Sequence, residues 1–330
     1  MTTLVTGGAG YIGSHTVRAM REQGRDVVVL DTLELGHRAA VLDTPLVVGD
    51  VADEPLVARL CADHGVDSCI HFAAYKNVGE SMQSPGKYWL NNVAGTVHLV
   101  EALLRAGVDR LVFSSSCSVY GTPAQVPVTE DAPVRPESVY AESKASMERV
   151  LRWYDATSAL RSVSLRYFNA AGASSDALIG EDWTHSLNLV PVVMKAALGQ
   201  RDPVQVFGDD YPTPDGTCIR DYIHVDDLAD AHVRALDHLE RGGASEALNV
   251  GTGVGSSVLD VINETERLSA RSVPHEIVGR RAGDPVAVYA DPGRVHEVLG
   301  WKASRGLDEI LATAWAWHSS HPRGYEGSGS

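Results

Sequence analysis

The sequence predicts an α/β fold, a doubly wound parallel sheet followed by a smaller second lobe. Three observations carry that prediction. Short β-branched runs alternate with longer amphipathic stretches through the first 165 residues, a glycine cluster joins the first run to the first amphipathic stretch, and the rhythm breaks near residue 170. Apolar strands separated by helices favour parallel pairing, right-handed crossovers and a sheet covered on both faces.

The runs at 3–6, 27–30, 46–48, 68–72, 111–114 and 163–167 have strand length. Between them, apolar residues at helical spacing predict helices over 12–23, 56–64, 89–106 and 143–158. Residues 170–187 are small and acidic, and 208–217 are rich in Asp, Pro and Gly, so both read as loops. Helical spacing returns at 189–198, 226–239, 258–268 and 307–318, with short strands near 204–207 and 247–250. These elements predict a sheet domain over 1–168, rejoined by segments near 220–250, a second lobe over 169–320, and an unstructured tail over 321–330.

The 330 residues carry 28 Lys and Arg against 43 Asp and Glu, a formal charge of −15. A surface this acidic repels phosphates, which argues against non-specific nucleic-acid binding. An anionic ligand must therefore be held by a few local cations. Cys61, Cys69, Cys117 and Cys218 form no C-x-x-C pair and no zinc spacing, so reduced thiols and no metal are expected. The start MTTLVTGGAG has no basic segment before an apolar one, and no apolar run approaches membrane-spanning length. A soluble, cytoplasmic protein is the expectation.

The first strand runs into Gly7-Gly8-Ala9-Gly10-Tyr11-Ile12-Gly13. Gly7 or Gly8 can take a positive φ, Gly10 lets backbone approach a pyrophosphate, and Gly13 lets helix pack on strand. The helix N-terminus beyond offers unpaired N–H groups to phosphates. Asp31 closes the second strand, placed to accept hydrogen bonds from both adenine-ribose hydroxyls and to repel a 2′-phosphate, which favours NAD over NADP. Asp50 and Val51, after the third strand, are placed to meet the adenine ring. The first domain thus reads as a Rossmann-type NAD site.

The fifth strand opens into Ser114-Ser115-Ser116, and carboxyl ends of parallel strands are where such sheets bind ligands. Downstream, Tyr140 and Lys144 stand four apart and share one face if a helix begins there. An ammonium beside a phenol stabilises phenolate. Moving a phenol pKa from about 10 toward about 7 takes about 4 kcal/mol, within reach of a lysine plus a nicotinamide cation. After a dinucleotide turn and a serine cluster, the pair reads as a proton-transfer device for oxidising a hydroxyl beside NAD.

The segments 7–15 (GGAGYIGSH), 71–81 (HFAAYKNVGES), 113–121 (FSSSCSVYG), 140–144, 166–169 (RYFN) and 207–232 (FGDDYPTPDGTCIRDYIHVDDLADAH) extend the pattern over about residues 3–320. With them the chain resembles the extended short-chain dehydrogenases/reductases, and among these the UDP-glucose 4-epimerase family. The resemblance implies that Tyr140 is the general base, Lys144 its cofactor-binding partner and Ser116 a ligand of the substrate hydroxyl. It further implies that Tyr11, Ile12, Lys76 and Asn91 hold the cofactor, with Phe72, Ala73, Ala74, Ser114 and Tyr167 near it. Lys76, Asn169, Asn188, Leu189, Arg220, Tyr222, Arg281 and Asp284 match positions around a nucleotide-sugar, so the smaller α/β lobe is expected to bind substrate. Val288 matches a pocket-wall position beside the sugar 2-position. The implied reaction interconverts UDP-galactose and UDP-glucose with NAD retained. The resemblance also implies a homodimer pairing helices over 88–106 and 140–158, whose expected outer faces include Leu99, Leu103, Met147 and Leu151, residues that core packing within one chain explains equally well.

Arg220 and Arg281 suit this role, because guanidinium forks match phosphate oxygens. Neighbouring chemistries fit less well. A 4,6-dehydratase is expected to carry an Asp-Glu pair after the active-site hydroxyl and a decarboxylase a Glu, whereas Cys117 and Ser118 stand here. The alternatives kept are a 4-epimerase of another UDP-sugar (N-acetylhexosamine, xylose/arabinose or glucuronate) and a non-catalytic NAD-sensing regulator. The latter usually lacks the Tyr or the Lys.

Overall fold

The computed structural model describes residues 1–184, 186–281 and 283–325. Six strands come first: β1 (Thr2–Thr6), β2 (Asp26–Asp31), β3 (Leu46–Val48), β4 (Val66–His71), β5 (Arg110–Ser114) and β6 (Arg161–Tyr167). With Glu246–Val250 they make one seven-stranded sheet, ordered Glu246–Val250, β6, β5, β4, β1, β2, β3. Every neighbouring pair is parallel. The chain winds outward from β1 to β3, then from β4 away on the other side. The order therefore reverses between β1 and β4, which is where doubly wound sheets open a ligand crevice.

Both faces of the sheet are covered. Val5, Val29, Ile70 and Val112 face one way, against Met20 of helix Tyr11–Glu22 and Leu228 of helix Val225–Glu240. Leu4, Val28, Cys69 and Leu111 face the other, against Leu60, Leu99 and Met147 of helices Glu54–His64, Thr96–Arg105 and Val139–Thr157. Neighbours along each strand alternate faces yet all are apolar, as a doubly covered parallel sheet requires.

The second lobe is built on strand Ile219–His224. It pairs in parallel with Asn169–Ala171 and Ala287–Val288 and antiparallel with Gly255–Ser257. Helices Leu189–Ala197, Val258–Ser269 and Leu307–Ser320 close their own apolar cluster around Met194, Ile262 and Ile310. Among the described residues no helix is long and apolar enough to cross a membrane.

The structure departs from the sequence reading in several places, beginning with strand Ile219–His224, which no apolar run announced. The single helix expected over 89–106 is a π-helical stretch, Trp89–Gly95, followed by the α-helix Thr96–Arg105. The wider turn carries Asn92 inward, where its amide accepts from Tyr75 N and donates to Tyr75 O, both at 2.9 Å. Helix Val139–Thr157 begins earlier than 143, because the Ser138 hydroxyl accepts from Ala141 N and caps it. Tyr140 therefore lies in its first turn.

The expected unstructured tail is ordered through residue 325. Tyr325 stacks on His37 at 4.6 Å, and its hydroxyl bonds both backbone groups of Gly180 at 3.1 Å. The rest of that stretch, 326–330, lies outside the described residues. Finally, Leu99, Leu103, Met147 and Leu151 do not face outward: all four belong to the core beneath the sheet. The exposed large apolar side chains of these two segments are Trp89, Leu90 and Trp153, the last two 73% exposed.

Candidate active site

The first turn is shaped by steric exclusion. Gly7 sits at φ 71°, and a Cβ there would come within 2.5 Å of Ala73 N, so the turn lies flat against the end of β4. A Cβ on Gly13 would come within 2.2 Å of Gly7 O, which is how closely the helix approaches the turn. Gly10 is the extended N-cap of helix Tyr11–Glu22 and provides no side-chain cap. First-turn N–H groups of that helix are thus left for an anion. Ile12 is half-buried beside them, while the Tyr11 hydroxyl donates to Gly172 O at 2.7 Å and ties the helix to the second lobe.

Asp31 is buried at the end of β2. Its carboxylate accepts from Ala9 N at 3.0 Å and Leu33 N at 2.9 Å, which orients it across the turn with lone pairs to spare. Asp50 is exposed and accepts from Ala52 N, while Val51 is buried beneath it. Phe72, Ala73 and Ala74 leave β4 half-buried, Phe72 packing on His232 at 4.6 Å. Asn91 is half-buried and donates to Asn92.

Ser114, Ser116, Tyr140, Lys144 and Tyr167 gather at the carboxyl ends of β5 and β6. The Ser114 and Tyr167 hydroxyls lie 2.5 Å apart, and Lys144 Nζ donates to Ser114 O at 2.7 Å. Burial pulls the Lys144 ammonium down to about 7, with Glu148 opposing the fall. Burial also pushes the Tyr140 phenol up, and Tyr167 adds to this, while a hydrogen bond with Ser116 draws it back down. The Tyr167 phenol is pushed up to about 12, again by burial. Desolvation thus penalises the charged form of both Tyr140 and Lys144, and a phenolate beside an ammonium relieves both penalties together. Ser116 Oγ already accepts from Ser118 N at 3.2 Å and Ser118 Oγ at 2.9 Å, which leaves its own proton for a further partner.

The second lobe supplies the cations. Arg220 is held by Ile219 O and Pro285 O at 2.8 and 2.9 Å, and its Nη2 lies 3.7 Å from Asp284. Arg281 is exposed, 4.0 Å from the same carboxylate, with its guanidinium 4.1 Å over the Phe207 ring. Asp284 therefore draws both arginines to one place. Strand register sets Val288 opposite Arg220 and Asn169 opposite Tyr222. Val288 is packed with Phe168 and Val119, and Asn169 donates to Asp221 O. Tyr222 is buried, which raises its phenol pKa. Asn188 precedes helix Leu189–Ala197 without a side-chain capping bond and donates instead to Glu181 at 2.9 Å, while Leu189 is half-buried and Lys76 Nζ lies 3.6 Å from Glu181. Among the described residues no group of three or more His, Cys, Asp or Glu could hold a metal ion.

The family model described as the NAD dependent epimerase/dehydratase family matches residues 3–251. The chain belongs to the NAD dependent epimerase/dehydratase family. It is 45% identical to a UDP-glucose 4-epimerase of Halalkalibacterium halodurans over 98% of both chains, and 43% identical to that of Bacillus subtilis over 99% of both. Among solved structures, the UDP-glucose 4-epimerase of Brucella ovis in complex with NAD superposes with a TM-score of 0.94 at 45% identity, covering 96% of this chain and 97% of that one. That of Bifidobacterium longum in complex with NAD+ and UDP gives 0.91 at 40% identity, over 98% and 100%.

This chain's own residues fit the family's cofactor. The two glycines that cannot carry a Cβ, the uncapped helix N-terminus and the Asp31 carboxylate form the cradle that a dinucleotide requires.

Three side-chain groups of the site escaped the sequence reading. Glu148 and Arg166 form a buried pair behind the serine cluster. Their signal was present, since Glu148 stands four residues past Lys144. Asp221, fully buried between Arg220 and Tyr222, accepts from Thr252 N and Oγ1, Gly253 N and Ala290 N, and so pins the strand carrying both neighbours. Glu181, which joins Lys76 to Asn188, lies in a stretch that read only as loop.

Proposed function

We propose that this chain catalyses the reversible 4-epimerisation of UDP-galactose and UDP-glucose with NAD held throughout the cycle. The observation that carries the reading is the meeting of Ser116, Tyr140 and Lys144 at a strand end beside the glycine cradle. Such a group can take a proton from a sugar hydroxyl where a dinucleotide lies.

In this reading Gly7, Gly10, Tyr11, Ile12 and Gly13 hold the pyrophosphate, with Asp31, Asp50 and Val51 at the adenosine end. Phe72, Ala73, Ala74, Lys76, Asn91, Tyr140, Lys144 and Tyr167 also line the cofactor, with Ser114 near its nicotinamide. NAD, when bound, accepts hydride from the sugar C4 and returns it. Tyr140 as phenolate takes the 4-hydroxyl proton, Lys144 stabilises that phenolate, and Ser116 donates to the same oxygen. Inversion requires hydride to return on the opposite sugar face, so the 4-ketose must turn within the pocket. Its anchor is the UDP moiety, held by Arg220 and Arg281 with Asn169, Asn188, Leu189, Tyr222 and Asp284 around it.

The division of labour follows the two lobes. Residues 1–168, with the segments near 220–250 that rejoin the sheet, bind NAD, and 169–320 mainly bind the nucleotide-sugar. The protein is cytoplasmic and a homodimer, its exposed Leu90 and Trp153 offering the apolar face that a partner copy would cover. A monomer mass by light scattering at micromolar concentration rules the dimer out. A second reading, activity on UDP-N-acetylhexosamines, is favoured by one observation: the wall position holds the modest side chain of Val288. The deciding experiment is a coupled assay for UDP-glucose formed from UDP-galactose without added NAD. No product from purified protein that contains NAD overturns the proposal.

A further inference from the structure

Glu148 lies on helix Val139–Thr157, four residues past Lys144 and eight past Tyr140, so the three share one helix face. Its carboxylate is buried and engaged from two other elements. Arg166 of β6 donates from Nε to both carboxylate oxygens, at 2.9 and 3.2 Å, and from Nη2 at 2.5 Å. Ser115 Oγ donates to Oε1 at 2.5 Å. Arg166 also donates to the Tyr120 hydroxyl at 2.8 Å, which in turn donates to Asn249 on the outermost strand.

The partners of this carboxylate are the sequence neighbours of the reacting groups. Ser115 separates Ser114 from Ser116, and Arg166 precedes Tyr167. Well-packed apolar residues serve stability as well as a buried ion pair does, so stability alone does not account for a charge here. Resting on the function proposed above, we infer that Glu148 is a positioning residue for the proton transfer. With Arg166 it clamps the serine turn to the Tyr140–Lys144 helix face, and it is the negative neighbour that keeps Lys144 an ammonium.

The groups that face Lys144 come from four elements. Its own helix contributes Tyr140 and Glu148, and β5 contributes the Ser114 carbonyl and the Phe113 ring, 4.9 Å from Nζ. From β4, His71 is a buried imidazole whose pKa is lowered chiefly by burial and then by Lys144, while β6 brings Tyr167 onto Ser114 and Arg166 onto Glu148. Of these groups Glu148 alone is a carboxylate. Burial favours the neutral amine, and Glu148 is the charge that opposes it.

The test uses the NAD-loaded enzyme and two variants, E148Q and E148Q/R166M. The single variant strands a buried guanidinium and can fail to fold, whereas the double variant removes both charges and keeps the volume. The pH dependence of kcat, the KM for UDP-galactose and the retained NAD are measured for each. In E148Q the basic limb of kcat is expected to move down by about one pH unit, and in the double variant, which also loses the Arg166 cation, by less. KM and NAD content stay near the wild-type values. A folded double variant whose basic limb superimposes on wild type overturns the inference, and so does a uniform loss at every pH, which is what a mere brace produces. Y140F is measured alongside. Activity surviving in Y140F refutes the underlying proton-transfer reading, whereas an inactive Y140F with an unmoved Glu148 profile refutes only the role of Glu148.

Discussion

Lys144→Met should make the protein more stable while it slows turnover. The lysine is buried, and its ammonium is pulled from 10.5 to about 7 by desolvation. At about 1.4 kcal/mol per pKa unit, that corresponds to roughly 5 kcal/mol charged against folding at neutral pH. Methionine fills a similar volume without ionising, but it forfeits the bond to Ser114 O and leaves that carbonyl one donor short, about 2 kcal/mol. A net gain of about 3 kcal/mol remains. The pH dependence gives the sharper signature. Between about 7 and 10.5 the native lysine binds fewer protons than the unfolded one, so wild-type stability rises with pH across that window. The advantage of the variant should therefore be full at neutral pH and shrink toward alkaline pH. Urea midpoints at several pH values measure it, on proteins stripped of nucleotide because a ligand bound only by the native state adds its own stability. Turnover in the same variant should fall by about 10²–10⁴. A variant no more stable than wild type at neutral pH, or a gap that does not close as pH rises, refutes the reasoning.

Purified protein should carry NAD through gel filtration and release it on denaturation, measured by absorbance; an apoprotein revived only by NADP would contradict the role given to Asp31. Tyr140→Phe keeps the ring but removes the transferable proton, and turnover should fall about 10²–10⁴-fold while NAD and UDP remain bound by equilibrium dialysis. Turnover within a few-fold of wild type removes Tyr140 as the base. UDP-N-acetylgalactosamine should be epimerised more slowly than UDP-galactose, because one small group at a pocket wall alters discrimination by about 1–3 kcal/mol. Val288→Tyr should abolish the N-acetyl activity; a wild type forming no N-acetyl product after long incubation rules it out.

How much of this was legible in the residues depends on how far each signal reaches along the chain. Strands such as β2 (DVVVLD) and β5 (RLVFS) announce themselves because each holds a run of apolar side chains, which only a doubly covered sheet can bury. Gly7 and Gly13 are readable because a Cβ at either would strike backbone within a few residues or at the next strand end. Tyr140 and Lys144 are readable because a helix turns residues four apart onto one face. Strand Ile219–His224 was hidden by its own sequence, since Asp is unfavourable in a strand unless donors meet it. Those donors come from residues 252, 253 and 290, which no local rule connects to Asp221. Leu99, Leu103, Met147 and Leu151 form an apolar face whichever surface covers it, a subunit or the sheet, and only the packing decides. Glu148 is the instructive case. It lay on the right face at the right spacing, yet a glutamate on a helix is ordinarily solvated, and its meaning rests on Ser115 and Arg166 arriving from two strands. Local pattern thus located the groups that exchange the proton, while the groups that hold them in place are joined by contacts made only on folding.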